Sequence, residues 1–412
     1  MQEISLDGPD PVVEVPPPAA SAPVMAPAAE THPFRFTGTA GGFFGIWIVN
    51  LFLTIITLGI YSAWAKVRKK RYFYGHTWVA DANFEYHGKP IAILKGRLIA
   101  VVAFATYSGV GHFMPKVAAV LAFVLFAAAP WFIARSMAFN AFNSSYRNIR
   151  FRFQATYMDV LKAIWPIALV LVFPLLMPEI DRTGKVPPPA LFWVILSIQM
   201  LAMFAAYPYA IGSLKKLHVN HSQYGVAPFA IDVGIGAFYK IYFLTMLLFL
   251  GVVIAIAFLA GIIIAVIAGL AGLTASGAGP TAPKMAALVG GIIGFGLLTI
   301  AYFGIGSVLL AYTKSRIGNL VFNATRLDRH LTFTSTLKLR KLTWLYLVNM
   351  FAILFSLGLA IPWAVVRVIR YRAECLTLQS ATSLDEFVGG LSAQVGATGE
   401  ELGEFFSIDL SL

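Results

Sequence analysis

Residues 50–72 read NLFLTIITLGIYSAWAKVRKKRY, and residues 349–371 read NMFAILFSLGLAIPWAVVRVIRY. The two stretches agree without a gap. An apolar composition alone would supply leucine matches, but it would not supply Asn, Gly, Trp, Arg and Tyr together. We therefore interpret the stretches as two copies of one internal repeat. The shared positions are Asn50, Leu58, Gly59, Trp64, Ala65, Val67, Arg68, Arg71 and Tyr72, matched by Asn349, Leu357, Gly358, Trp363, Ala364, Val366, Arg367, Arg370 and Tyr371.

A shorter pattern extends this repeat along the chain. At the end of an apolar stretch, an aromatic residue is followed four positions later by Arg or a small polar residue. One helical turn separates the two positions, and an aromatic beside a cation suits a helix end at the membrane interface. The pattern predicts a multi-pass membrane protein built from related units. Its copies are Trp64/Arg68, Trp131/Arg135, Tyr209/Ser213, Tyr312/Arg316 and Trp363/Arg367.

Composition agrees with a membrane protein. The chain is 58% hydrophobic and 12% charged, with a mean hydropathy of +0.76, whereas soluble domains carry about 25% charged residues. The net charge of +12 would suggest nucleic acid in a soluble protein. Here the basic residues cluster between apolar runs, so the positive-inside bias explains them and we expect no nucleic-acid partner. The single cysteine, Cys375, excludes an internal disulfide framework.

Eight apolar segments follow one another, and several reach the roughly 20 residues that span a bilayer. Backbone exposed to lipid must satisfy its own hydrogen bonds, so we expect helices. The runs lack the alternation of membrane barrel strands. The predicted fold class is all-α, a polytopic transmembrane helix bundle built from degenerate internal repeats. The segments are Phe43–Ala65, Leu98–Met114, Val117–Ala134, Val160–Met177, Ala190–Gly212, Ile241–Gly272, Met285–Ala311 and Trp344–Val366.

Loop charges indicate the orientation. The four loops richest in Lys and Arg follow the first, third, fifth and seventh segments, which predicts that these loops are cytoplasmic. The first and last segments conflict with this rule if they span, because the tail of residues 1–33 and the cations after Trp363 would then lie outside. The alternative is a pair of re-entrant hairpins bent near Gly59 and Gly358, and the sequence leaves both possibilities open.

The predicted domain organisation has three parts. Residues 1–33 form a Pro/Ala-rich tail that we expect to be disordered. Residues 34–376 form the membrane domain, with repeat copies ending near 72, 139, 217, 320 and 371. Residues 377–412 form an acidic tail with a brief amphipathic helix expected to end near Phe406. In the basic loops, FEYHG, FRF and LTF alternate like short strands, which indicates extended pieces at the membrane surface.

A family resemblance rests on two of these motifs. NLFLTIITLGIYSAWAKVRKKRYFYGHT at residues 50–77, followed by FEYHG at residues 84–88, resembles the signature of the YjgN-like family of uncharacterised bacterial inner-membrane proteins. The match is specific at residues 34–97, and the repeats extend it over 34–380. The resemblance implies a multi-pass protein of the bacterial inner membrane, with no established activity or site residues. The last copy departs from the first, because Cys375 stands where His76 stands.

Polar residues inside the apolar segments are the first candidate site. Asn50 and Asn349 occupy matched positions, and Thr54 lies one turn after Asn50. A buried Asn in hydrocarbon needs a hydrogen-bond partner. These residues either line a pore or join neighbouring helices, and the sequence favours helix contact. No Asp or Glu lies in the centre of a predicted span, which argues against proton coupling.

Cations at the helix ends are the second candidate site. An arginine guanidinium pairs bidentately with phosphate oxygens, so a cluster at the membrane surface would bind an anion or a lipid phosphate. The alternative is that these positions, with their aromatics, only anchor the helices at the interface. The candidate anion-binding residues are Arg68, Arg71, Arg135, Arg316, Arg367 and Arg370, and the candidate anchors are Trp64, Trp131, Tyr209, Tyr312 and Trp363.

Catalytic and metal chemistry have weak support. His218 and His221 could share a helical face, but two imidazoles without a third ligand are a poor metal signal. His76 and His87 flank Asp81 and Glu85 in a loop, and this grouping is only slightly stronger. Catalytic and phosphate-loop motifs are missing from the sequence. We therefore expect no enzyme activity, no metal and no cofactor.

Two functions remain open. The first is a transporter or channel for a polar or anionic solute, with Asn50 and Asn349 near its path. Internal repeats with matched polar residues are common in transporters. The alternative is a non-transporting membrane module that binds anionic lipid headgroups or a partner protein through its basic cytoplasmic loops. In either case the lipid bilayer is the expected environment.

Overall fold

A computed structural model describes residues 30–170, 173–178, 187–275 and 282–395. The Pro/Ala-rich segment 1–29 and the region around Phe406 lie outside the described residues, so the predictions made for them stay predictions. Strand β1 (Glu30–Pro33) nevertheless falls within the segment 1–33, and a helix at residues 384–395 falls within the segment 377–412.

Helices make up most of the described chain. Successive helices run as hairpins that leave a sheet and return to it. The helices are α1 (Ala40–Ile56), α2 (Ser62–Gly75), α3 (Pro90–Phe113), α4 (Pro115–Phe142), α5 (Tyr157–Val170), α6 (Ala190–Asn220), α7 (Ile235–Ala275), α8 (Ala282–Asn323), α9 (Leu339–Phe355), α10 (Ile361–Glu374) and α11 (residues 384–395), with a short 3-10 helix at Phe173–Leu176.

The helices pack in a closed order. Each of α1 to α10 contacts the next one along the chain, and α10 contacts α1. Among the described residues, α3, α4, α6 and α7 contain stretches long and apolar enough to cross a membrane, namely Pro90–Phe113, Val120–Phe142, Ala190–Asn220 and Ile235–Val266. The result is a ring of helical hairpins, which we call the helix ring.

Short strands between the hairpins form an antiparallel sheet. The strands are β1 (Glu30–Pro33), β2 (Arg35–Phe36), β3 (Thr77–Val79), β4 (Ala82–Tyr86), β5 (Ser144–Tyr146), β6 (Ile149–Phe153), β7 (Ser222–Tyr224), β8 (Ala227–Ile231), β9 (Thr325–Leu327), β10 (Leu331–Ser335) and β11 (Leu376–Ser380). Their order in the described sheet is β1-β11-β10-β9-β8-β7-β6-β5-β4-β3-β2. Because β1 and β2 flank Phe34, whose N–H donates to Leu376 O at 3.0 Å, the sheet nearly closes into a barrel.

This sheet shows that the predicted all-α fold class is wrong. The helical part of the prediction agrees with the structure, but the loops between hairpins are strands of two to five residues. Such strands are too short to stand out against long apolar helices. Each one gains stability only by pairing with strands that are distant in sequence, which the alternation in FEYHG and FRF did not reveal.

Phenylalanines occupy the middle of the barrel. Consecutive ring centroids lie 6.3, 6.5, 6.4 and 6.4 Å apart, within the range of favourable aromatic pairs. The alternation of strand residues places these rings inside the barrel. They belong to Phe34, Phe84, Phe151, Phe229 and Phe333. The layer nearer the helices is Phe36, Tyr86, Phe153, Ile231 and Ser335, all buried.

The opposite end of the barrel carries tight turns and a covering helix. Ala80 and Asp81 both have positive φ, as do Arg147 and Asn148, which is typical of two-residue hairpin loops. Helix α11 lies over this end and buries apolar side chains in the same core as the barrel. An ion pair between Arg147 and Asp385 joins the barrel to the segment containing α11. The buried side chains of α11 are Leu384, Val388 and Leu391.

The first and last hairpins turn in the same way. Leu58 and Gly59 have φ of 50° and 92°, and Leu357 and Gly358 have φ of 50° and 93°. The Gly59 N–H donates to Thr54 O at 2.7 Å, and the Gly358 N–H donates to Ile353 O at 2.8 Å. The strands on either side of each hairpin pair in the same sheet. Both flanks therefore lie at the sheet, as the re-entrant alternative requires.

Candidate functional site

Helix α6 shows how the faces of the even-numbered helices are used. Leu217 packs against α5 in one apolar cluster, and Gly212 lies against Phe238 of α7. These contacts occupy two sides of α6 and leave two opposite faces, which we call the outer face and the inner face. Tyr209 and Ser213 lie on the outer face, where the Tyr209 hydroxyl donates to Lys162 O of α5 at 3.4 Å. In α10, the positions that the repeat aligns with the packed positions of α6 are also buried. They are Pro362, Ala364, Val366 and Tyr371.

The outer face is defined by the aromatic–cation pattern. The guanidinium carbon of Arg135 lies 5.7 Å from the Trp131 ring centroid, and Arg316 lies 5.7 Å from Tyr312. Arg367 lies 4.3 Å from Trp363. These are cation–π distances. The outer face is therefore a set of cations held on aromatic rings, a geometry compatible with the anchor role that the sequence suggested.

The candidate asparagines lie inside the first and last hairpins. Arg68 Nη1 donates to Asn50 Oδ1 at 3.4 Å, and Arg367 Nη1 donates to Asn349 Oδ1 at 3.2 Å. Asn349 Nδ2 also donates to Ala364 O at 3.1 Å. Both asparagines are buried, and each bond joins the two legs of one hairpin. This geometry favours helix contact over a pore lining, although their role stays a prediction.

The remaining candidates are not gathered in one place. The backbone carbonyl oxygen of Thr54 accepts a hydrogen bond from the Gly59 N–H in the turn of the first hairpin. Arg370 Nη2 donates to Gly38 O at 2.9 Å, which ties α10 to the segment before α1. The sequence-predicted arginines therefore do not converge on a single anion in the described structure.

The inner face carries different cations, which we call the central basic cluster: Lys66 and Lys70 of α2, Lys215 of α6, Lys314 of α8 and Arg372 of α10. Lys215 experiences the positive charges of both Lys314 and Arg372. Helices α7 and α9 separate these three helices in the ring, so their cations meet only across the interior. Lys70 likewise bonds Asn140 of α4 across α3.

The cluster lies on the helix end of the barrel. Lys70 Nζ is 4.5 Å from the Tyr86 ring centroid, and the His218 ring is 5.8 Å from the Phe153 ring. Tyr86 and Phe153 belong to the barrel layer nearest the helices. Burial, with repulsion from Lys66, lowers the pKa of Lys70 to about 8. Burial raises the pKa of Tyr86 to about 12.

Above the cluster the interior is apolar and open. On α6 the inner face continues through Tyr207, Phe204 and Met200, which are 46%, 36% and 64% exposed. The exposure of these side chains is consistent with an open space on this face of α6. We call that space the central vestibule. Its floor is the barrel, its base carries the central basic cluster, and its upper wall on α6 is apolar.

Carboxylates are scarce around the vestibule. In the described helices α1 to α10 they are confined to Asp159 and Glu374. Asp159 accepts from the Thr156 N–H at 2.9 Å and lies 3.5 Å from His221. These hydrogen bonds hold the pKa of Asp159 below its usual range. The described residues contain no group of three or more His, Cys, Asp or Glu that could hold a metal ion. The surplus of cations over carboxylates gives this end of the helix ring a positive potential.

Lys66, Lys70, Lys215 and Lys314 belong to the stretches that the apolar pattern predicts to be basic loops, but in the structure they lie on helices. The signal that could have found the cluster is helical phase. Counted from the aromatic residue of each copy, the cluster positions are two, six and nine residues later, whereas the outer arginines are four residues later. Positions two, six and nine share one helical face opposite the aromatic residue.

Comparison with known proteins agrees with the membrane architecture. The profile of a family described as bacterial protein of unknown function (DUF898) matches residues 31–405. Inner membrane protein YjgN of Salmonella typhimurium is 25% identical over 367 residues, covering 84% of this chain and 88% of the relative. Inner membrane protein YjgN of Escherichia coli K12 is 34% identical over 148 residues, covering 36% of each chain. No solved structure matches the chain.

These matches confirm the family resemblance and the location predicted from the sequence. The relatives are named inner-membrane proteins, and four described helices are able to span a bilayer. The protein resides in the bacterial inner membrane in contact with its lipid. The chain belongs to the DUF898 family of bacterial proteins of unknown function, which includes the YjgN-like inner-membrane proteins.

Proposed function

We propose that this protein is a transporter or channel that binds an anionic solute in the central vestibule. The proposal is supported by three cations on separate helices, because Lys314 and Arg372 lie near enough to Lys215 for their charges to act on it. Like charges held together raise the energy of the empty site. A bound anion offsets that repulsion and accepts charge-assisted hydrogen bonds from the same groups.

The proposal includes five copies of one unit arranged around the barrel axis. In four copies, the first residue after the second strand donates its N–H to the carbonyl oxygen of the C-cap residue that ends the following helix hairpin. These bonds are Thr37 to His76 at 2.9 Å, His87 to Asn143 at 2.8 Å, Gln154 to His221 at 2.9 Å and Thr336 to Cys375 at 2.9 Å. Such copies are parallel rather than inverted. Parallel copies surround one central site, whereas inverted copies would form two halves that open alternately to the two sides of the membrane.

The proposal includes a sidedness, which the positions of the cations support. All strand pairs lie in one sheet, and the helix cations lie close to it. The positive-inside rule then places the sheet and α11 in the cytoplasm. An anion in the vestibule would sit at the cytoplasmic boundary of the membrane, with the apolar part of the helix ring above it.

Anion binding by purified protein tests the proposal. Inorganic phosphate is titrated against the wild-type protein and Lys215→Gln in detergent, and phosphate flux is measured in reconstituted vesicles. Loss of one charge-assisted bond is expected to weaken binding about tenfold. Arg316→Gln removes the same charge from the outer face and should leave binding unchanged. Equal effects of the two variants, or no binding by the wild type, would rule the proposal out.

A second function is favoured by the outer face. Arg135, Arg316 and Arg367 each lie on an aromatic ring, and this placement suits lipid phosphates at the interface. In that case the protein binds anionic lipid without moving a solute. Arg135→Gln combined with Arg316→Gln should then reduce binding of phosphatidylglycerol, whereas Lys215→Gln should not.

A further inference from the structure

We propose that residues 400–406, which we call the acidic segment, bind in a groove on the outer wall of the barrel. The groove lies beside strands β8 and β9, and we call it the arginine groove. This inference goes beyond the binding of a solute in the vestibule and does not depend on it. It assigns a partner within the same chain to a surface of the barrel.

The arginine groove has a volume of about 410 Å³ and is lined by Pro228, Ala230, Arg326, Asp328 and Arg329. Arg326 of β9 pairs with Ala230 of β8, and the residues on either side of Arg326 in the sequence are both buried. Because side chains alternate along a strand, Arg326 points away from the barrel core. The groove therefore presents its charges on the outside of the barrel.

The arginine groove carries a net positive charge. Arg326 and Arg329 are both exposed, and neither forms an ion pair with a residue that the structure describes. The Asp328 N–H donates to Pro228 O at 2.9 Å, which holds the two sides of the groove together. The single carboxylate of Asp328 offsets only one of the two guanidinium charges. The remaining positive charge attracts an acidic group.

Helix α11 ends beside this groove. A Cβ atom placed on Gly225 would lie 3.1 Å from Val395 Cγ2, so the end of α11 touches the turn between β7 and β8. Pro228 follows Gly225 by three residues, about 10 Å of extended chain. Glu400 follows Val395 by five residues, which span at most about 18 Å. The chain that leaves α11 is therefore long enough to bring Glu400 to the arginine groove.

The sequence after α11 matches the groove in charge and in polarity. Residues 396–399 are the small residues GATG, and three carboxylates and two aromatic rings follow. A carboxylate accepts charge-assisted hydrogen bonds from a guanidinium, and a phenyl ring covers the apolar surface of Pro228 and Ala230. A small inorganic anion satisfies only the first of these requirements. The matching residues are Glu400, Glu401, Glu404, Phe405 and Phe406.

Binding of the acidic segment fastens α11 at both ends. The ion pair between Arg147 and Asp385 joins the start of α11 to the barrel, and the arginine groove holds the chain that follows its last turn. Ion pairs on a surface are individually weak. However, a segment tethered a few residues from its site has a high effective concentration there. The acidic segment therefore keeps α11 in place over the end of the barrel.

Cross-linking within the full-length protein tests this inference. Leu402→Cys, which preserves all three glutamates of the acidic segment, is combined with Ala230→Cys in a Cys375→Ser background. The protein is treated with a short bifunctional maleimide, and the linked peptides are quantified by mass spectrometry. In the control, Glu85→Cys replaces Ala230→Cys and places the thiol on the outer wall four strands away. Linkage to position 230 should be about tenfold faster than linkage to position 85.

Charge exchange shows whether the arginines cause this preference. Arg326→Glu with Arg329→Glu reverses the charge of the groove and should slow linkage to position 230 about tenfold. Adding Glu400→Lys with Glu401→Lys restores the attraction and should recover most of the rate. Arg35→Glu, an equal change at an exposed position of β2, should leave the rate unchanged.

Three results would overturn the inference. One is equal linkage to positions 230 and 85, and another is a rate that charge reversal in the groove leaves unchanged. The third is linkage to position 230 that forms only between two molecules or faster from Leu6→Cys, beside Asp7 in the acidic N-terminal segment. It would assign the groove to a second copy or to that segment. Phosphate binding in the vestibule is measured separately, so the proposed function stands or fails on its own.

Discussion

The outer and inner faces of the even-numbered helices carry the same kinds of cation in opposite settings. On the outer face, Arg135, Arg316 and Arg367 each lie on an aromatic ring of their own helix. On the inner face, Lys215 experiences the charges of Lys314 and Arg372 from other helices. A cation held on an aromatic ring of its own helix positions that helix, whereas several cations near one another create a field that attracts an anion. The difference depends on helical phase rather than on residue type.

Charge reversal should give the largest difference in phosphate affinity between the inner and outer faces. Lys314→Glu places a carboxylate beside Lys215, which neutralises the cluster and repels an anion. Phosphate affinity should fall about 100-fold, since one nearby charge is worth several kcal/mol at low effective dielectric. Arg316→Glu, two residues later on the outer face, should change phosphate affinity less than twofold. Isothermal titration of both variants provides the check, and comparable losses would show that the two faces are equivalent.

Removal of an asparagine side chain should affect stability rather than binding. Asn349→Ala leaves the Arg367 guanidinium without one acceptor and the Ala364 carbonyl without one donor. The free energy of unfolding should drop by about 1–3 kcal/mol. Phosphate affinity per folded molecule should stay at the wild-type value, because Asn349 joins two legs of a hairpin. Thermal unfolding in detergent measures the first quantity. A loss of flux without loss of stability would restore the pore interpretation for Asn349.

The low pKa of Lys70, about 8, predicts pH dependence at the inner face. Lys70 loses its proton as pH rises through 8, so phosphate affinity should decline between pH 7 and pH 9. Lys70→Arg should remove this dependence, because a guanidinium stays charged. The stability contribution has the opposite sign. Between about pH 8 and the unfolded lysine pKa of about 10.4, the unfolded chain binds more protons and folding stability rises. A flat affinity profile in the wild type would contradict the placement of Lys70.

The smallest effect is expected at the outer face. Replacing Trp131 with Leu removes the aromatic partner of Arg135 and should cost about 0.5–1 kcal/mol. The change should appear as a small decrease in unfolding temperature in vesicles, with phosphate affinity unaltered. A larger loss of phosphate affinity than of stability would show that Trp131 contributes to the vestibule.

Part of this architecture follows from the sequence. The matched stretches around Asn50 and Asn349 predict two equivalent hairpins, and their turns at Gly59 and Gly358 have nearly identical backbone angles. Among the eight apolar segments predicted from the sequence, four correspond to the described helices α3, α4, α6 and α7, which are able to span a membrane. In contrast, the barrel depends on pairing between strands such as β1 and β11, which are separated by almost the whole chain. Periodicity within a short segment carries no information about its distant partner.

The site was harder to predict than the fold. Sequence reasoning found the arginines next to aromatics because that pair recurs in one short pattern. The inner lysines recur less regularly, since only some copies carry a cation at each inner position. Their meaning depends on the closed order of the helix ring, which brings α2, α6, α8 and α10 to one interior. Without knowledge of that order, Lys70 and Lys215 cannot be distinguished from the ordinary cytoplasmic cations of a membrane protein.

Cross-linking between α2 and α4 tests the central claim most directly. Lys70→Cys with Asn140→Cys is made in a Cys375→Ser background and treated with a short bifunctional maleimide. The paired control is Arg68→Cys with Arg135→Cys, on the outer faces of the same helices. We expect the inner pair to cross-link, since Lys70 and Asn140 are hydrogen-bonded across the ring interior, and the outer pair to remain separate. Cross-linking of the outer pair without the inner pair would contradict the vestibule.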